Sequence, residues 1–163
     1  MTNDLSSSDD EFRTLAWVAD YQFGPGAGEA LFGDTEALEL TRSTSGRPRQ
    51  VRAEDGHVVT YSTDGRFTLG LAGGRRLHES LQYPSYRVVV GDESAPYVRD
   101  GRNVFAKFVR EVDPDIRPGD EVVVVHHEGD LLGVGRAELP AGDMRDFETG
   151  VAVAIRDGAS EAL

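Results

Sequence analysis

The sequence has 163 residues, of which 39% are hydrophobic, and its 29 acidic against 17 basic residues give a formal net charge of −12. That length suits one ordinary domain or two small ones, and no apolar run approaches the roughly 20 residues that cross a bilayer. Cysteine is absent, which excludes disulfides, thiol nucleophiles and cysteine-ligated zinc sites.

The first half of the chain predicts helices around a small sheet. Residues 1–11 are rich in serine and acidic side chains, which predicts a disordered leader without the features of a signal peptide, and we expect a cytoplasmic protein. From Phe12 to Tyr21 apolar residues recur at the spacing of an amphipathic helix. The glycines of residues 24–28 end this helix, and residues 29–32 add one helical turn.

Short strand-like runs follow, and turn signals at Ser45-Gly46, Asp55-Gly56 and Asp64-Gly65 separate them. They predict an antiparallel meander. Its strands are expected at residues 37–41, 49–53, 58–62 and 67–71. Residues 73–81 have helical character, and we predict that a first α+β domain covers residues 12–84.

A second, mostly β domain is predicted over residues 85–158, followed by a tail at 159–163. Its strands are expected at residues 87–90, 104–109, 121–126, 131–139 and 151–155. A short helix at 95–99 and a stiff proline-containing turn at 113–120 complete it. Closure of these strands into a small barrel would remove exposed edges. The predicted fold class is therefore α+β, with a C-terminal barrel.

Segments of both halves resemble known domains. In the second half the segments resemble PUA domains, and in order they are residues 87–90, 101–107, 116–122, 132–137 and 150–153. In the first half, residues 19–32 resemble the small α/β domain that precedes the PUA domain in archaeal tRNA-guanine transglycosylases, which insert the archaeosine precursor base into tRNA. The resemblance implies an archaeal protein with a C-terminal PUA β-barrel.

The resemblance also implies RNA binding without catalysis. Those transglycosylases carry their chemistry on a TIM barrel, which needs about 200 residues or more, and on a zinc held by cysteines, and the sequence offers neither. We therefore expect a chain that binds tRNA at the acceptor stem or 3′ end as an accessory to an RNA-modifying enzyme. No cofactor, membrane or DNA partner is expected.

Two alternatives remain open. Ribosome-assembly factors also combine a small α/β domain with a C-terminal PUA domain, so pre-rRNA is a possible ligand. The other alternative is an enzyme whose site lies in the first domain, around Asp20, Tyr21 and Glu29.

The segment 101–107 carries the main candidate RNA-binding residues. Gly101 allows a ligand to approach the backbone closely. Arg102 and Lys107 can contact phosphates, and Asn103 can bond a ribose or a base edge. Lys107 is the only lysine in the sequence.

Four further residues complete the candidate site. Val104 and Phe105 belong to the same segment, and the alternative for them is a place in the core of a half-buried strand. Arg136 and Arg156 are expected to flank the RNA-binding face, although surface arginines often serve solubility alone.

No metal site is predicted. His126 and His127 are adjacent at the end of a valine run. Because neighbouring residues of a strand point to opposite faces, one ion cannot easily take both side chains.

The acidic, almost lysine-free composition is typical of proteins from halophiles, in which salt screens the repulsion between surface charges. At molar salt the Debye length falls to about 3 Å. The negative net charge then does not oppose RNA binding, which depends on local contacts.

Overall fold

In a computed structural model, which describes residues 2–160 and side chains from residue 9 onward, the chain divides into two compact units, Met1–Leu81 and Gln82–Leu163. The sequence places the boundary three residues later, after Pro84. Residues 161–163 of the expected tail lie outside the described part. None of the helices described is long and apolar enough to cross a membrane.

The first unit combines three helices with a four-stranded antiparallel sheet in the order β1-β2-β3-β4. The elements are α1 (Thr2–Phe23), α2 (Ala27–Phe32), β1 (Glu39–Arg42), β2 (Pro48–Ala53), β3 (Gly56–Tyr61), β4 (Phe67–Leu69) and α3 (Leu71–Ser80). A 3-10 turn at Thr35–Ala37 precedes β1. The predicted meander is therefore confirmed.

The core of the first unit forms on the apolar stripe of α1. Phe12, Leu15, Ala19 and Phe23 are all buried, which confirms the helical spacing seen in the sequence. Beside them the Gln22 side chain forms two hydrogen bonds with the backbone of Phe67, one from its Nε2 (2.9 Å) and one to its Oε1 (2.7 Å). These bonds fix α1 against β4.

Helix α1 begins at Thr2, whereas the sequence predicts a disordered leader through residue 11. Residues 2–11 are helical in the structure. Once the buried stripe that starts at Phe12 anchors a helix, each added residue gains a backbone hydrogen bond without a new nucleation cost. The acidic composition of this segment predicts its solvation, but it does not decide its backbone conformation.

The second unit is a six-stranded, nearly closed sheet in the order β6-β10-β9-β8-β5-β7. Its elements are β5 (Arg87–Val90), α4 (Ala95–Arg99), β6 (Val104–Phe105), β7 (Val109–Val112), β8 (Glu121–His126), β9 (Leu131–Ala137), α5 (Ala141–Asp146) and β10 (Val151–Gly158). Strands β5 and β8 are parallel, and the other pairs are antiparallel. The predicted α+β class with a C-terminal barrel is confirmed.

One predicted strand is divided. The sequence predicts a single strand over residues 104–109, but a 3-10 turn at Ala106–Phe108 separates β6 from β7. The two pieces lie at opposite edges of the sheet, where β6 pairs with β10 and β7 pairs with β5. The 3-10 turn therefore carries the chain from one edge of the sheet to the other.

Helix α5 is absent from the elements that the sequence predicts. This short helix lies between β9 and β10, and its Met144 is fully buried in the core of the second unit. Residues 138–139, which were expected to extend β9, lie beyond the end of that strand. Six residues with one buried methionine are too short to show helical periodicity in the sequence.

Candidate nucleic-acid interface

The turn after α4 exposes the start of the candidate segment. Gly101 has a φ of +89°, in the left-handed region that favours glycine, and no atom lies within 4 Å of the place where a Cβ would stand. Its N–H donates to the carbonyl of Val98 (2.9 Å), and the Arg102 N–H donates to that of Tyr97 (2.9 Å). Gly101 thus ends α4 in the manner of a C-terminal cap and leaves the backbone accessible.

An aromatic cleft opens beside this turn. It has a volume of about 230 Å³. Its lining residues are Glu93, Ser94, Tyr97, Arg102, Asn103, Phe105 and Phe108. The side chains of Tyr97 and Phe105 are 55% and 46% exposed, and the Arg102 guanidinium carbon lies 5.9 Å from the centroid of the Tyr97 ring. Exposed aromatic rings beside a guanidinium can stack with unpaired bases.

Asn103 connects the candidate segment to the last strand. Its Oδ1 accepts a hydrogen bond from the backbone N–H of Ile155 in β10 (3.0 Å). That bond fixes the position of the side chain, whose amide NH2 group remains a donor for a base edge or a ribose. Asn103 is thus held in place before any ligand binds.

Val104 and Phe105 differ in their surroundings. The side chain of Val104 is 1% exposed and belongs to the core, so only its backbone could contact RNA. The side chain of Val104 thus has the core position that was the alternative for it, and RNA contact by this residue stays a prediction. Phe105 is on the opposite face of the strand, where it lines the cleft.

Lys107 lies at the rim of the cleft. Its Nζ is 5.1 Å from the centroid of the Phe108 ring, and Phe108 is one of the lining residues. The side chain of Lys107 is exposed. The 3-10 turn after β6 thus places the only lysine of the sequence beside a residue that lines the cleft.

Arg136 and Arg156 lie outside the cleft lining, and carboxylates pair with both. The Arg156 guanidinium contacts the two carboxylate oxygens of Glu121 at 2.8 and 2.7 Å, and the Glu121 side chain is only 5% exposed. Arg136 Nε lies 3.4 Å from a carboxylate oxygen of the exposed Glu138. The sequence could not show the Arg156–Glu121 ion pair, because Glu121 is on a different strand from Arg156.

The Glu121 ion pair predicts a structural effect for Arg156. Replacing Arg156 with alanine removes the bidentate partner of a buried carboxylate, and we expect the free energy of unfolding to fall by about 2 kcal/mol. Arg136→Ala is the matched control, since an exposed pair contributes less than about 1 kcal/mol. Urea denaturation measures the free energy of unfolding of both variants. Equal stability of the two variants would show that Glu121 does not depend on Arg156.

Asp20, one of the three residues named for the alternative site in the first unit, has a structural hydrogen bond. Asp20 Oδ1 accepts a hydrogen bond from the backbone N–H of Gly28 (2.7 Å), which fixes the turn between α1 and α2. Tyr21 and Glu29 are exposed. This hydrogen bond gives Asp20 a structural role in the turn, and the alternative site stays a hypothesis.

His126 and His127 correct the metal argument from the sequence. Their ring centroids lie 4.2 Å apart, so the expectation that the two side chains point to opposite faces is wrong. Strand β8 ends at His126, and the alternation of side chains applies only within the strand.

Each of the two units matches a known protein family. Residues 13–84 match the family model of the patch-forming domain C2 of tRNA-guanine transglycosylase, and residues 86–159 match that of the PUA domain. The tRNA-guanine(15) transglycosylase of Thermococcus kodakarensis is 49% identical over 142 residues, which are 86% of this chain and 24% of that protein. The tRNA-guanine(15) transglycosylase of Methanothermobacter thermautotrophicus is 42% identical over 156 residues, which are 95% of this chain and 24% of that protein.

Solved structures show the same fold. The hypothetical protein PH0734.1 from Pyrococcus horikoshii has a TM-score of 0.70 at 19% identity, and the match covers 93% of this chain and 92% of that one. A conserved PUA domain protein from Thermoplasma acidophilum has a TM-score of 0.58 at 22% identity, and the match covers 76% of this chain and 77% of that one. The chain spans about a quarter of the length of the curated relatives. It is a PUA domain protein that resembles the C-terminal, C2-plus-PUA region of the archaeal tRNA-guanine transglycosylases.

Proposed function

We propose that this chain binds tRNA at the acceptor stem or 3′ end, as a non-catalytic accessory to an RNA-modifying enzyme. The PUA domain and the transglycosylase relatives support RNA binding related to tRNA modification. The observation that carries the proposal is the aromatic cleft of the PUA domain, where rings, a guanidinium and a fixed amide converge.

The chemistry of the cleft favours a single-stranded end next to a duplex. Tyr97 and Phe105 offer ring faces to an unpaired base, and such stacking contributes about 1–3 kcal/mol per base. Arg102 and Lys107 at the rim can contact the phosphates on either side of that base. The exposed backbone of Gly101 admits close approach of a ribose or phosphate.

The proposed non-catalytic role concerns only the region that the relatives share with this chain. That region is about a quarter of the length of each relative, and it contains no cysteine. In this proposal the chain holds the RNA, and the partner enzyme performs the base exchange.

The RNA bound in cells tests the proposed ligand. The chain is crosslinked to RNA and purified at the salt concentration of its host, and the RNA is sequenced. We expect tRNA fragments that cluster at the acceptor stem and 3′ end, and weaker binding in vitro to tRNA trimmed of its 3′ single strand. Recovery of pre-rRNA would support the ribosome-assembly alternative. Incorporation of labelled guanine into tRNA by the chain alone would contradict the non-catalytic role.

We also propose that the protein works at high salt, because its sequence has 29 acidic residues and only 17 basic ones. Lowering the salt from molar to about 0.1 M lengthens the Debye length to about 10 Å. The acidic groups then repel one another, and we expect a lower melting temperature or loss of tertiary structure. Thermal melts followed by near-UV circular dichroism measure this. A melting temperature that does not change with salt would contradict halophilic adaptation.

A further inference from the structure

A histidine pair and a carboxylate converge at one end of the barrel, on residues that the proposed function does not use. The Nε2 of His126 lies 2.6 Å from Oδ1 of Asp92. His127 stacks beside His126, and one ligand atom from each of the three residues lies within 4.8 Å of the others. Asp92 and His127 are exposed, and His126 is buried.

The parallel pairing of β5 and β8 explains this convergence. Val90, the last residue of β5, lies beside His126, the last residue of β8. Because parallel strands end at the same edge of a sheet, Asp92 and His127 leave that edge together. The N–H of His127 still donates to the carbonyl of Val90 (2.9 Å), which fixes the backbone there.

We propose that Asp92, His126 and His127 bind one divalent transition-metal ion of the Zn²⁺ type. Two imidazoles and one carboxylate form a donor set that selects Zn²⁺, Co²⁺ or Ni²⁺ over Mg²⁺ and Ca²⁺. Three protein ligands leave at least one coordination position open to solvent. None of the three residues lines the proposed RNA cleft. The metal site therefore does not rest on the proposed function.

The electrostatics around the three residues favour a cation. His126 lines a hollow together with three carboxylates, those of Asp92, Glu128 and Asp130, and one guanidinium, that of Arg99. Arg99 lies 3.7 Å from a carboxylate oxygen of Asp130, which offsets its charge.

Metal binding requires a change in the protonation of His126. In the structure its Nδ1 accepts the N–H of Glu128 (3.1 Å), so Nε2 carries the proton that it donates to Asp92. The ion takes the place of that proton, the hydrogen bond from the Glu128 N–H to Nδ1 is lost, and the proton moves to Nδ1 of the neutral ring. A carboxylate oxygen of Glu128 lies 3.9 Å from Nδ1 and can accept it after a small rotation. A carboxylate behind a metal-bound histidine is a frequent arrangement.

The ligands also need a small displacement. At bond lengths of about 2.0–2.2 Å, two tetrahedral ligand atoms stand about 3.3 Å apart, which is more than the 2.6 Å between Asp92 and His126. The exposed side chain of Asp92 can supply this movement without disturbing the strands.

Titration of the untagged, EDTA-treated chain with Zn²⁺ or Co²⁺ tests the proposal. We expect calorimetry to show one Zn²⁺ per chain, and Co²⁺ to give visible absorption bands with a nitrogen and oxygen donor set. His127→Gln and Asp92→Asn should each weaken Zn²⁺ binding at least about tenfold. A large excess of Mg²⁺ should not compete.

The controls separate ligand loss from unfolding and from other histidines. Asp92 and His127 are exposed, so both variants should keep the melting temperature of the metal-free chain. His78→Gln, at a histidine on α3 in the first unit, should leave Zn²⁺ affinity unchanged. Absence of stoichiometric binding, or equal affinity in the His127→Gln, Asp92→Asn and unsubstituted chains, would overturn the proposal.

Discussion

Replacing Gly73 with alanine should lower the free energy of unfolding of the first unit by about 3 kcal/mol. A Cβ at this position of α3 would stand 2.0 Å from the carbonyl oxygen of Val58 in β3. That oxygen already accepts the N–H of Gly70 at the start of the helix (2.9 Å). The added methyl group therefore separates the helix from the strand and breaks this hydrogen bond.

Gly142→Ala is the matched control. Gly142 is also helical, in α5, but no atom lies within 4 Å of its Cβ position. The better helix propensity of alanine should keep this variant within about 1 kcal/mol of the unsubstituted protein, on the stabilising side. Urea denaturation at fixed high salt measures both. If Gly73→Ala were as stable as Gly142→Ala, the close approach of α3 to β3 would not be needed for packing.

The second large effect concerns the RNA-binding cleft. Replacing Arg102 and Lys107 together with alanine should weaken tRNA binding by about 1–3 kcal/mol, because both side chains can make charge-assisted contacts with phosphate. Each 1.4 kcal/mol corresponds to a factor of about ten in Kd. The fold should survive, since both side chains are exposed. Filter binding or calorimetry with one tRNA at one fixed high salt concentration measures the change.

Two further variants show whether the effect is local. Gly101→Val should weaken binding by another route, because valine strains a φ of +89° and covers the accessible backbone. Arg13→Ala, at an exposed arginine of α1, should change little. Full affinity in a folded Arg102→Ala/Lys107→Ala variant would show that the segment 101–107 is structural, and the RNA-binding face would then lie elsewhere on the PUA domain.

The sequence by itself determined the two-part organisation of this protein and most of its elements. The strands β5, β8 and β9 appear as largely apolar runs because nearly all of their residues, on both faces, are buried. The apolar stripe of α1 from Phe12 to Phe23 is also visible in the sequence, because a helix that is buried on one face has apolar residues at a helical period. These features depend on neighbours in the chain, which is why local patterns predict them.

The tertiary structure alone decided which side chains meet. Strand order joins Asp92 to the histidine pair, and it places Glu121 against Arg156. The helix α4 and the turn after β6 bring Tyr97 and Phe108 to one cleft with Arg102, although no pattern in the sequence selects either aromatic residue. Residues far apart in sequence come together only through sheet pairing and chain reversal, and their contacts leave no periodic signal in a single sequence.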